Sequence, residues 1–313
     1  MVPLETEVLL TELEPTVAAN LDRHLAAARD WMPHEYVPWS DGRNFSMLDG
    51  EPWSVEQSTL SPIARVALEM NLLTEDNLPS YHREIDRTFG RDGAWAVWTN
   101  RWTAEEGRHA FCLRDYLLVT RGVDPESLER ARMATVQGGY DSGGRSMLNA
   151  CAFIAFQELA TRVSHRNTGR YTGDPVAERL MARIATDENL HMVFYRNLVQ
   201  AALGLAPNQT LRAIADEVVR FQMPGSSVPG FGRKAAQIAM AGIHDLRIHH
   251  DDVVMPLLRH WGVLELDGLD AAGEQAREEL VAGLAALDAH ARRFEERRGR
   301  SAENLAARGH GAG

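Results

Sequence analysis

The chain contains the stretches Glu106-Gly107-Arg108-His109 and Glu188-Asn189-Leu190-His191, two copies of the pattern Glu-x-x-His. Residues three apart share one face of a helix, so in each copy the carboxylate and the imidazole can bind the same ion. A chain of 313 residues with 12 histidines is expected to contain about one such pair by chance. The residues around the two copies must therefore show whether the pairs are metal ligands or occur by chance.

Both copies lie within rows of mostly apolar residues that are spaced three and four apart. Such spacing predicts helices whose apolar face packs into the core, with the polar pair in the middle of that face. We therefore expect both pairs to be buried. The two rows are Trp95, Trp98, Trp102, Glu106, His109, Leu113 and Tyr116, and Leu180, Ile184, Glu188, His191 and Tyr195.

Two other predicted helices carry a single glutamate at the equivalent place, Glu75 and Glu158. Glu75 precedes Glu106 by 31 residues, and Glu158 precedes Glu188 by 30 residues. Each separation fits two antiparallel helices joined by a short turn. The two halves thus look like repeats of one αα-hairpin and predict four helices that face one another.

The burial of four glutamates and two histidines in one place predicts a metal site. An unpaired buried carboxylate costs on the order of several kcal/mol and protonates rather than stay charged. Two divalent ions would balance four carboxylates, as in dinuclear carboxylate sites of four-helix bundles. Oxygen and imidazole ligands without thiolate suit iron or manganese, and iron if dioxygen is to be activated. The predicted ligands are Glu75, Glu106, His109, Glu158, Glu188 and His191.

Composition and charge describe an ordinary globular chain, with 44% hydrophobic and 25% charged residues. The net charge of −11 argues against general nucleic-acid binding, which requires a basic face. No stretch reaches the roughly 18 apolar residues of a membrane-spanning helix, and the first residues are acidic where a secretory signal would be basic. We expect a cytoplasmic protein without a membrane span.

The fold class predicted from periodicity is all-α. Residues 31–58 are predicted to form an ordered loop, and Pro79 is predicted to kink a helix beside Glu75. We expect one domain over 1–265, then a solvated helix and a frayed Gly-rich tail over 266–313. The predicted helices span 7–29, 60–89, 94–121, 125–136, 147–171, 175–203, 208–223, 229–244, 247–261 and 273–298.

Five stretches of the chain resemble the soluble acyl-acyl carrier protein (acyl-ACP) desaturases, and the similarity to the bacterial branch runs from about residue 10 to 262. The stretches are Leu73-Thr74-Glu75-Asp76-Asn77-Leu78-Pro79-Ser80-Tyr81, Trp102-Thr103-Ala104-Glu105-Glu106-Gly107-Arg108-His109, Phe156-Gln157-Glu158-Leu159-Ala160-Thr161, Ser164-His165-Arg166-Asn167-Thr168 and Asp187-Glu188-Asn189-Leu190-His191. The resemblance implies a ferritin-like four-helix bundle with a di-iron centre, extended by additional helices.

The resemblance also implies roles for individual residues. The six predicted ligands would hold two iron ions, with Glu106 and Glu188 in the bridging positions. Thr161 matches a threonine on the oxygen-binding side of the metals. Trp31 and Asp187 match an electron or hydrogen-bond path through His109. Taken alone, Trp31 reads as a packed loop aromatic and Asp187 as a solvated helix residue.

The implied reaction uses dioxygen and reduced ferredoxin to introduce a cis double bond into a carrier-bound acyl chain, and the implied assembly is a homodimer. Two alternatives stay open: a di-iron hydroxylase or N-oxygenase on a carrier-bound substrate, and a ferritin-like iron-binding protein without catalysis. Candidate walls of an acyl slot are Trp98, Trp102, Met147, Phe153 and Met223, and candidate carrier-docking cations are Arg233, Lys234, Arg247 and Arg259.

The sequence departs from this family at two places. Gly107 stands where the family usually has Asn, and close packing is one reason for a helix to accept a glycine that costs up to about 1 kcal/mol. Residues 136–149 look shorter than their counterpart in the bacterial relatives. Because this stretch precedes the helix of Glu158, it predicts a changed substrate entrance.

Overall fold

A computed structural model describes residues 3–223, 225 and 228–310. The described residues form helices and no β-strand, which confirms the all-α prediction. The helices are α1 (Thr6–Ala27), α2 (Pro62–Glu75), α3 (Leu78–Phe89), α4 (Gly93–Val119), α5 (Pro125–Gly138), α6 (Met147–Thr172), α7 (Pro175–Leu205), α8 (Pro207–Arg220), α9 (Phe231–Met240), α10 (Leu246–Ile248), a π-helix (His249–Val254), α11 (Met255–Trp261) and α12 (Ala271–His310).

Local sequence explains where several of these helices begin. The side chains of Ser61, Asp124, Ser146 and Asp174 each accept a hydrogen bond from a backbone N–H in the first turn of α2, α5, α6 and α7. Such capping satisfies N–H groups that lack a partner within the helix. Proline follows the cap in α2, α5 and α7, where its missing N–H costs nothing.

The prediction of one helix over 60–89 is wrong in a way that affects the site. The structure has two helices here, because α2 ends at Glu75 and α3 begins at Leu78. Pro79 lies in the first turn of α3 and has no N–H to donate to the carbonyl of Glu75, four residues earlier. The kink expected beside Glu75 is therefore a full interruption of the helix.

Helices α2, α4, α6 and α7 form the four-helix bundle. Helix α4 contacts α2 and α7, and α6 lies along α7 and contacts α2. Helix α1 packs against α4 and α7 on one side, and α8 packs against α6 and α7 on another. The apolar core of the described residues has three bodies: a large one that includes Trp98 and Phe156, a smaller one that includes Leu113 and Ile184, and a third that includes Leu73. The predicted ligands lie between the first two.

The C-terminal helix is longer and better packed than predicted. It runs over Ala271–His310 rather than 273–298, and it packs against α8. Ala276, Leu280 and Ala291 are fully buried, so one face of the helix that was expected to be solvated packs against its neighbours. Residues 311–313 of the predicted frayed tail lie outside the described residues, and the division at 265/266 stays a prediction.

The segment over 31–58 forms four short 3-10 helices, at Pro33–Glu35, Trp39–Asp41, Ser46–Leu48 and Val55–Gln57. Its chain is held by Arg121, whose guanidinium donates to the carbonyl of Glu51 at 2.7 Å and to Gln57 Oε1 at 2.7 Å. In the described part of the chain, no helix is both long enough and apolar enough to cross a lipid bilayer.

Candidate metal centre

The structure brings all six predicted ligand side chains together inside the bundle. Glu75 ends α2, and Glu158 lies in the middle of α6. The pairs Glu106/His109 and Glu188/His191 lie in the middle of α4 and α7. None of the six residues is more than 7% exposed. The expectation that both pairs face the core is therefore met.

The six side chains form two groups of four that share two members. In the first group, His109 Nδ1 lies 3.5 Å from Glu75 Oε2, 3.4 Å from Glu106 Oε2 and 3.4 Å from Glu188 Oε1. The ligand-type atoms of this group all lie within 4.8 Å of one another. Glu106 and Glu188 belong to both groups.

In the second group, His191 Nδ1 lies 2.8 Å from Glu106 Oε1 and 3.6 Å from Glu158 Oε2. Glu188 completes this group within the same 4.8 Å limit. Two imidazole nitrogens therefore face four carboxylates from opposite ends of one polar cluster.

The atoms that point into this cluster are those without hydrogen-bond partners. They are Glu106 Oε1, His109 Nδ1, Glu158 Oε2, Glu188 Oε1 and His191 Nδ1. A buried polar atom without a partner costs free energy, and groups of this kind often mark a site for an ion. Carboxylate oxygens and imidazole nitrogens suit iron or manganese. The residues present thus fit a pair of such ions.

A carboxylate outside the cluster holds the other nitrogen of each histidine. Glu105 Oε2 lies 2.9 Å from His191 Nε2, and Asp187 Oδ2 lies 3.4 Å from His109 Nε2. Because an ionised carboxylate only accepts, each Nε2–H is oriented as a donor to its carboxylate, and each Nδ1 faces the cluster as the nitrogen that could bind an ion. Each carboxylate holds a histidine of the other helix. Glu105 on α4 holds His191 of α7, and Asp187 on α7 holds His109 of α4.

Asp187 connects the cluster to Trp31, as the resemblance implies. The indole Nε1–H of Trp31 donates to Asp187 Oδ2 at 2.7 Å. Burial opposes the charge of Asp187, but hydrogen bonds from His109 and Trp31 outweigh it and lower the pKa of this carboxyl group. Arg183 pairs with Asp187, and Arg108 lies 3.4 Å from it. Asp187 is 3% exposed, so its reading as a solvated residue is wrong.

Thr161 contacts the cluster through a carboxylate. Its hydroxyl donates to Glu188 Oε2 at 3.1 Å, and the residue is 5% exposed. Trp102 Nε1–H donates to Glu158 Oε1 at 3.1 Å. His165 Nε2 lies 2.9 Å from Glu75 Oε1. Each of these contacts fixes a carboxylate whose other oxygen is available to the cluster.

Comparison with known proteins identifies the family. A family model described as fatty acid desaturase matches residues 5–308. The chain is a member of this desaturase family. The acyl-ACP desaturase DesA1 of Mycobacterium tuberculosis is 50% identical over 295 residues, which are 92% of this chain and 87% of DesA1. The chloroplastic stearoyl-ACP 9-desaturase 6 of Arabidopsis thaliana is 32% identical over 298 residues, 88% of this chain and 74% of that protein.

A solved structure supports the same conclusion at the level of the fold. The X-ray structure of the acyl-ACP desaturase DesA2 of Mycobacterium tuberculosis superposes with a TM-score of 0.71 at 32% sequence identity. The match covers 86% of this chain and 99% of the DesA2 chain. The predicted resemblance and the predicted fold class of this desaturase are confirmed.

Two cavities of the desaturase meet at the carboxylate cluster. The α3–α6 cavity has a volume of about 60 Å³, and the α2–α6 cavity has a volume of about 100 Å³. Both are lined by Thr74, Glu75 and Thr161. Together they follow one face of α6 from Ala150 to His165, which is about 22 Å along a helix axis. This distance is about the length of an extended long-chain acyl group.

An outer cavity of about 460 Å³ continues the path away from the cluster. It shares Met223, Phe231, Ala235 and His244 with the α2–α6 cavity. It also contains His249, which has no hydrogen-bond partner in the described structure and whose pKa burial lowers to about 3. At the opposite end of the path, the α3–α6 cavity is lined by residues of the loop at 139–146, including Tyr140, Ser142 and Arg145.

The candidate acyl-wall residues divide between these cavities and the core. Trp102 and Phe153 line the α3–α6 cavity, and Met223 lines the other two. Trp98 and Met147 line none of the three cavities among the described residues, and both are buried core residues. For these two, packing is the observed role.

Sequence reasoning missed Glu105 and His24. Glu105 holds His191, and His24 Nε2 lies 2.9 Å from Glu105 Oε2. A signal for Glu105 was present, since an acidic residue immediately precedes both Glu-x-x-His copies, as Glu105 and Asp187. His24 lies on α1, and nothing in its local sequence indicates the contact.

Two of the four docking candidates are already neutralised. Lys234 Nζ lies 2.6 Å from Glu69 Oε1. Arg247 pairs with Asp288 at 2.9 Å and with Glu295 at 3.3 Å. An acidic partner would have to displace these carboxylates, so Lys234 and Arg247 are poor docking cations.

Proposed function

We propose that this protein is a di-iron acyl-ACP desaturase that introduces a cis double bond into an acyl chain carried by acyl carrier protein. The observation that carries the proposal is the buried cluster of four carboxylates and two imidazoles at the junction of two apolar cavities. The family and the names of its relatives support the same reaction.

The proposed ligands follow the two groups of four. Glu75 and His109 would bind one ion, Glu158 and His191 would bind the other, and Glu106 and Glu188 would serve both because they belong to both groups. When bound, the two iron ions supply the activation of dioxygen that a side chain cannot provide. Half of the electrons that reduce dioxygen to water come from the acyl chain, and half come from an external donor.

The protein's own side chains then have three tasks. Thr161 holds Glu188 by its hydroxyl and lies at the junction of the cavities, where the reacting methylenes would be placed. The apolar walls, including Phe153 and Ile154, exclude water from that junction. The position of the cluster along the path would select one pair of adjacent carbons among many similar C–H bonds.

Electrons would reach the cluster through Trp31, Asp187 and His109. The contact from Trp31 to Asp187 is 2.7 Å, and that from Asp187 to His109 is 3.4 Å. Arg108 and Arg183 lie over the Trp31 ring at 5.1 and 5.6 Å from its centroid. Ferredoxin is the electron donor we propose. We further propose a homodimer located in the cytoplasm.

A product analysis tests the reaction. Purified protein is supplied with ferrous iron, a ferredoxin with its reductase, dioxygen and a set of acyl carrier proteins of different chain length, and the released acids are measured by mass spectrometry. A loss of two mass units supports desaturation, while a gain of sixteen would identify a hydroxylase. Iron binding without any change in the acids would instead favour a non-catalytic iron-binding protein.

A further inference from the structure

Four arginines line a surface cavity of about 440 Å³ between α6, α7 and α11, which we call the arginine groove. Arg162, Arg166 and Arg170 lie four residues apart on α6, and Arg196 lies on α7. Asp252 is the one carboxylate among the described residues that line the groove. None of the four guanidinium groups has an ion-pair partner in the described part of the chain.

This uncompensated positive charge contrasts with the rest of the molecule. The net charge is −11, and two cations beside the acyl path have carboxylate partners, Lys234 in Glu69 and Arg145 in Glu217. In the groove, burial and the charge of Arg166 lower the pKa of Arg162. The arginines therefore repel one another, and an anion placed between them would relieve that repulsion.

The shape of the groove favours a row of anions over a single one. Residues 162 and 170 are about 12 Å apart along the helix axis. One phosphate group cannot span that length, whereas carboxylates spaced along an acidic helix can. Arg166 and Arg170 are exposed, so a helix of another protein can reach them. Guanidinium forks bind carboxylates in two-point contacts, which adds orientation to the attraction.

The groove lies beside the outer end of the acyl path. The π-helix separates the two, because His249 lines the outer cavity and Asp252 lines the groove. Asn167, a residue of the groove, donates to the carbonyl of Ile243 at 2.9 Å, and the next residue, His244, lines the outer cavity. A protein seated on the arginines is therefore next to the place where a tethered chain would enter.

We infer that the arginine groove is the docking surface for an acidic helix of the acyl carrier protein. The inference rests on the proposed function, which supplies the carrier as the partner, and acyl carrier proteins are acidic. A second copy of this chain is a poor occupant, because a two-fold axis through the groove would set the same arginines against each other. An electron donor is the remaining acidic partner, and the experiment separates it from the carrier.

The experiment measures binding and turnover in the same variants. R166E and R170E, singly and together, are compared with the wild type, using acyl carrier protein charged with an octadecanoyl chain. Affinity is measured by fluorescence anisotropy at several salt concentrations, and KM is measured separately for the carrier substrate and for ferredoxin. R130E is the matched control, since Arg130 is an exposed α5 residue and the change reverses one charge.

We expect each single reversal to weaken carrier binding about fivefold and the double variant more than tenfold, with a shallower salt dependence. KM for ferredoxin and the affinity of R130E should match the wild type. The carrier affinity of the neutral double variant R166Q/R170Q should lie between that of the wild type and that of R166E/R170E. A loss of affinity that follows the charge in this way is not expected from misfolding.

Unchanged carrier affinity in the double variant would overturn the inference, as would a wild type that does not bind the carrier. A rise in KM for ferredoxin alone would assign the groove to the electron donor instead. If the wild type binds the carrier through Arg166 and Arg170 but produces no altered acid, the docking surface stands and the proposed reaction fails.

Discussion

His109 and His191 occupy equivalent places in the two Glu-x-x-His pairs, but their outer nitrogens are held differently. His191 Nε2 lies 2.9 Å from Glu105, which also has His24 at 2.9 Å. His109 Nε2 lies 3.4 Å from Asp187. The contact that holds His191 is thus shorter than the contact that holds His109, and Glu105 also accepts from Arg101 Nε at 2.7 Å.

The longer contact has a cause in the surroundings of Asp187. This carboxylate also accepts from Trp31 at 2.7 Å and pairs with Arg183. Asp187 therefore contacts both His109 of the cluster and the indole of Trp31. Glu105 likewise pairs with an arginine, Arg101, so the two halves differ in the aromatic group beyond the carboxylate: the indole of Trp31 at Asp187 and the imidazole of His24 at Glu105.

The largest expected effect is the loss of iron when a carboxylate that belongs to both halves is removed. Glu106→Ala or Glu188→Ala removes a carboxylate that belongs to both groups of four, so we expect loss of the stoichiometry of two irons per chain. Glu75→Ala and Glu158→Ala, each confined to one half, should lose less iron. Iron per chain after reconstitution is the measurement, and two irons retained in both E106A and E188A would mean that the ligand assignment is wrong.

The next prediction compares the iron affinity of variants at Glu105 and Asp187, the carboxylates that hold the outer nitrogens of the two histidines. Glu105→Gln and Asp187→Asn keep the size of the side chain but remove the charge that orients Nε2–H of each histidine. We expect iron affinity to fall roughly 10- to 100-fold in each variant, and more in E105Q because its contact is shorter. Competition against a chelator measures the affinity. A larger fall in D187N would reverse the proposed order.

A smaller effect should distinguish the half that is linked to Trp31 from the half that is linked to His24. Trp31→Phe removes the donor to Asp187, and His24→Phe removes the donor to Glu105 while keeping a ring beside Trp98. We expect W31F to slow reduction of the iron-loaded protein by ferredoxin about tenfold and H24F to leave that rate unchanged. Stopped-flow absorbance follows the reduction. Equal rates in the two variants would remove the proposed distinction between the halves.

The smallest effect concerns the turn between glutamate and histidine in the two pairs, where Gly107 corresponds to Asn189. A Cβ at Gly107 would lie 3.9 Å from Leu78 Cδ2, an ordinary contact. Close packing therefore does not explain the glycine, contrary to expectation. Gly107→Ala should raise the free energy of unfolding by about 0.5–1 kcal/mol, as measured by urea denaturation. A decrease would show that the backbone at this position needs glycine.

The sequence predicts the ligand set because a buried charged pair stands within a row of apolar residues at helical spacing. Glu106 and Glu188 stand in rows that are otherwise apolar, and this alone places them in the core. The chain order of the glutamates then predicts the bundle. Helix boundaries follow less well, as the interruption after Glu75 shows, because an isolated proline is compatible with either a kink or a break.

Contacts between distant segments are beyond such reasoning. His24 reaches Glu105 from a helix 81 residues away in sequence, and Trp31 reaches Asp187 across 156 residues. Only the family resemblance pointed to Trp31, whereas His24 had no signal of either kind. The arginine groove was missed for the same reason, since Arg196 and Asp252 join it only through tertiary packing.

Anomalous diffraction at the iron edge, from crystals of the iron-loaded protein, tests the central claim most directly. The account predicts two peaks inside the bundle, one beside Nδ1 of His109 and one beside Nδ1 of His191, with Glu106 and Glu188 between them. A single peak, peaks at the Nε2 atoms, or iron bound only at the surface would contradict it.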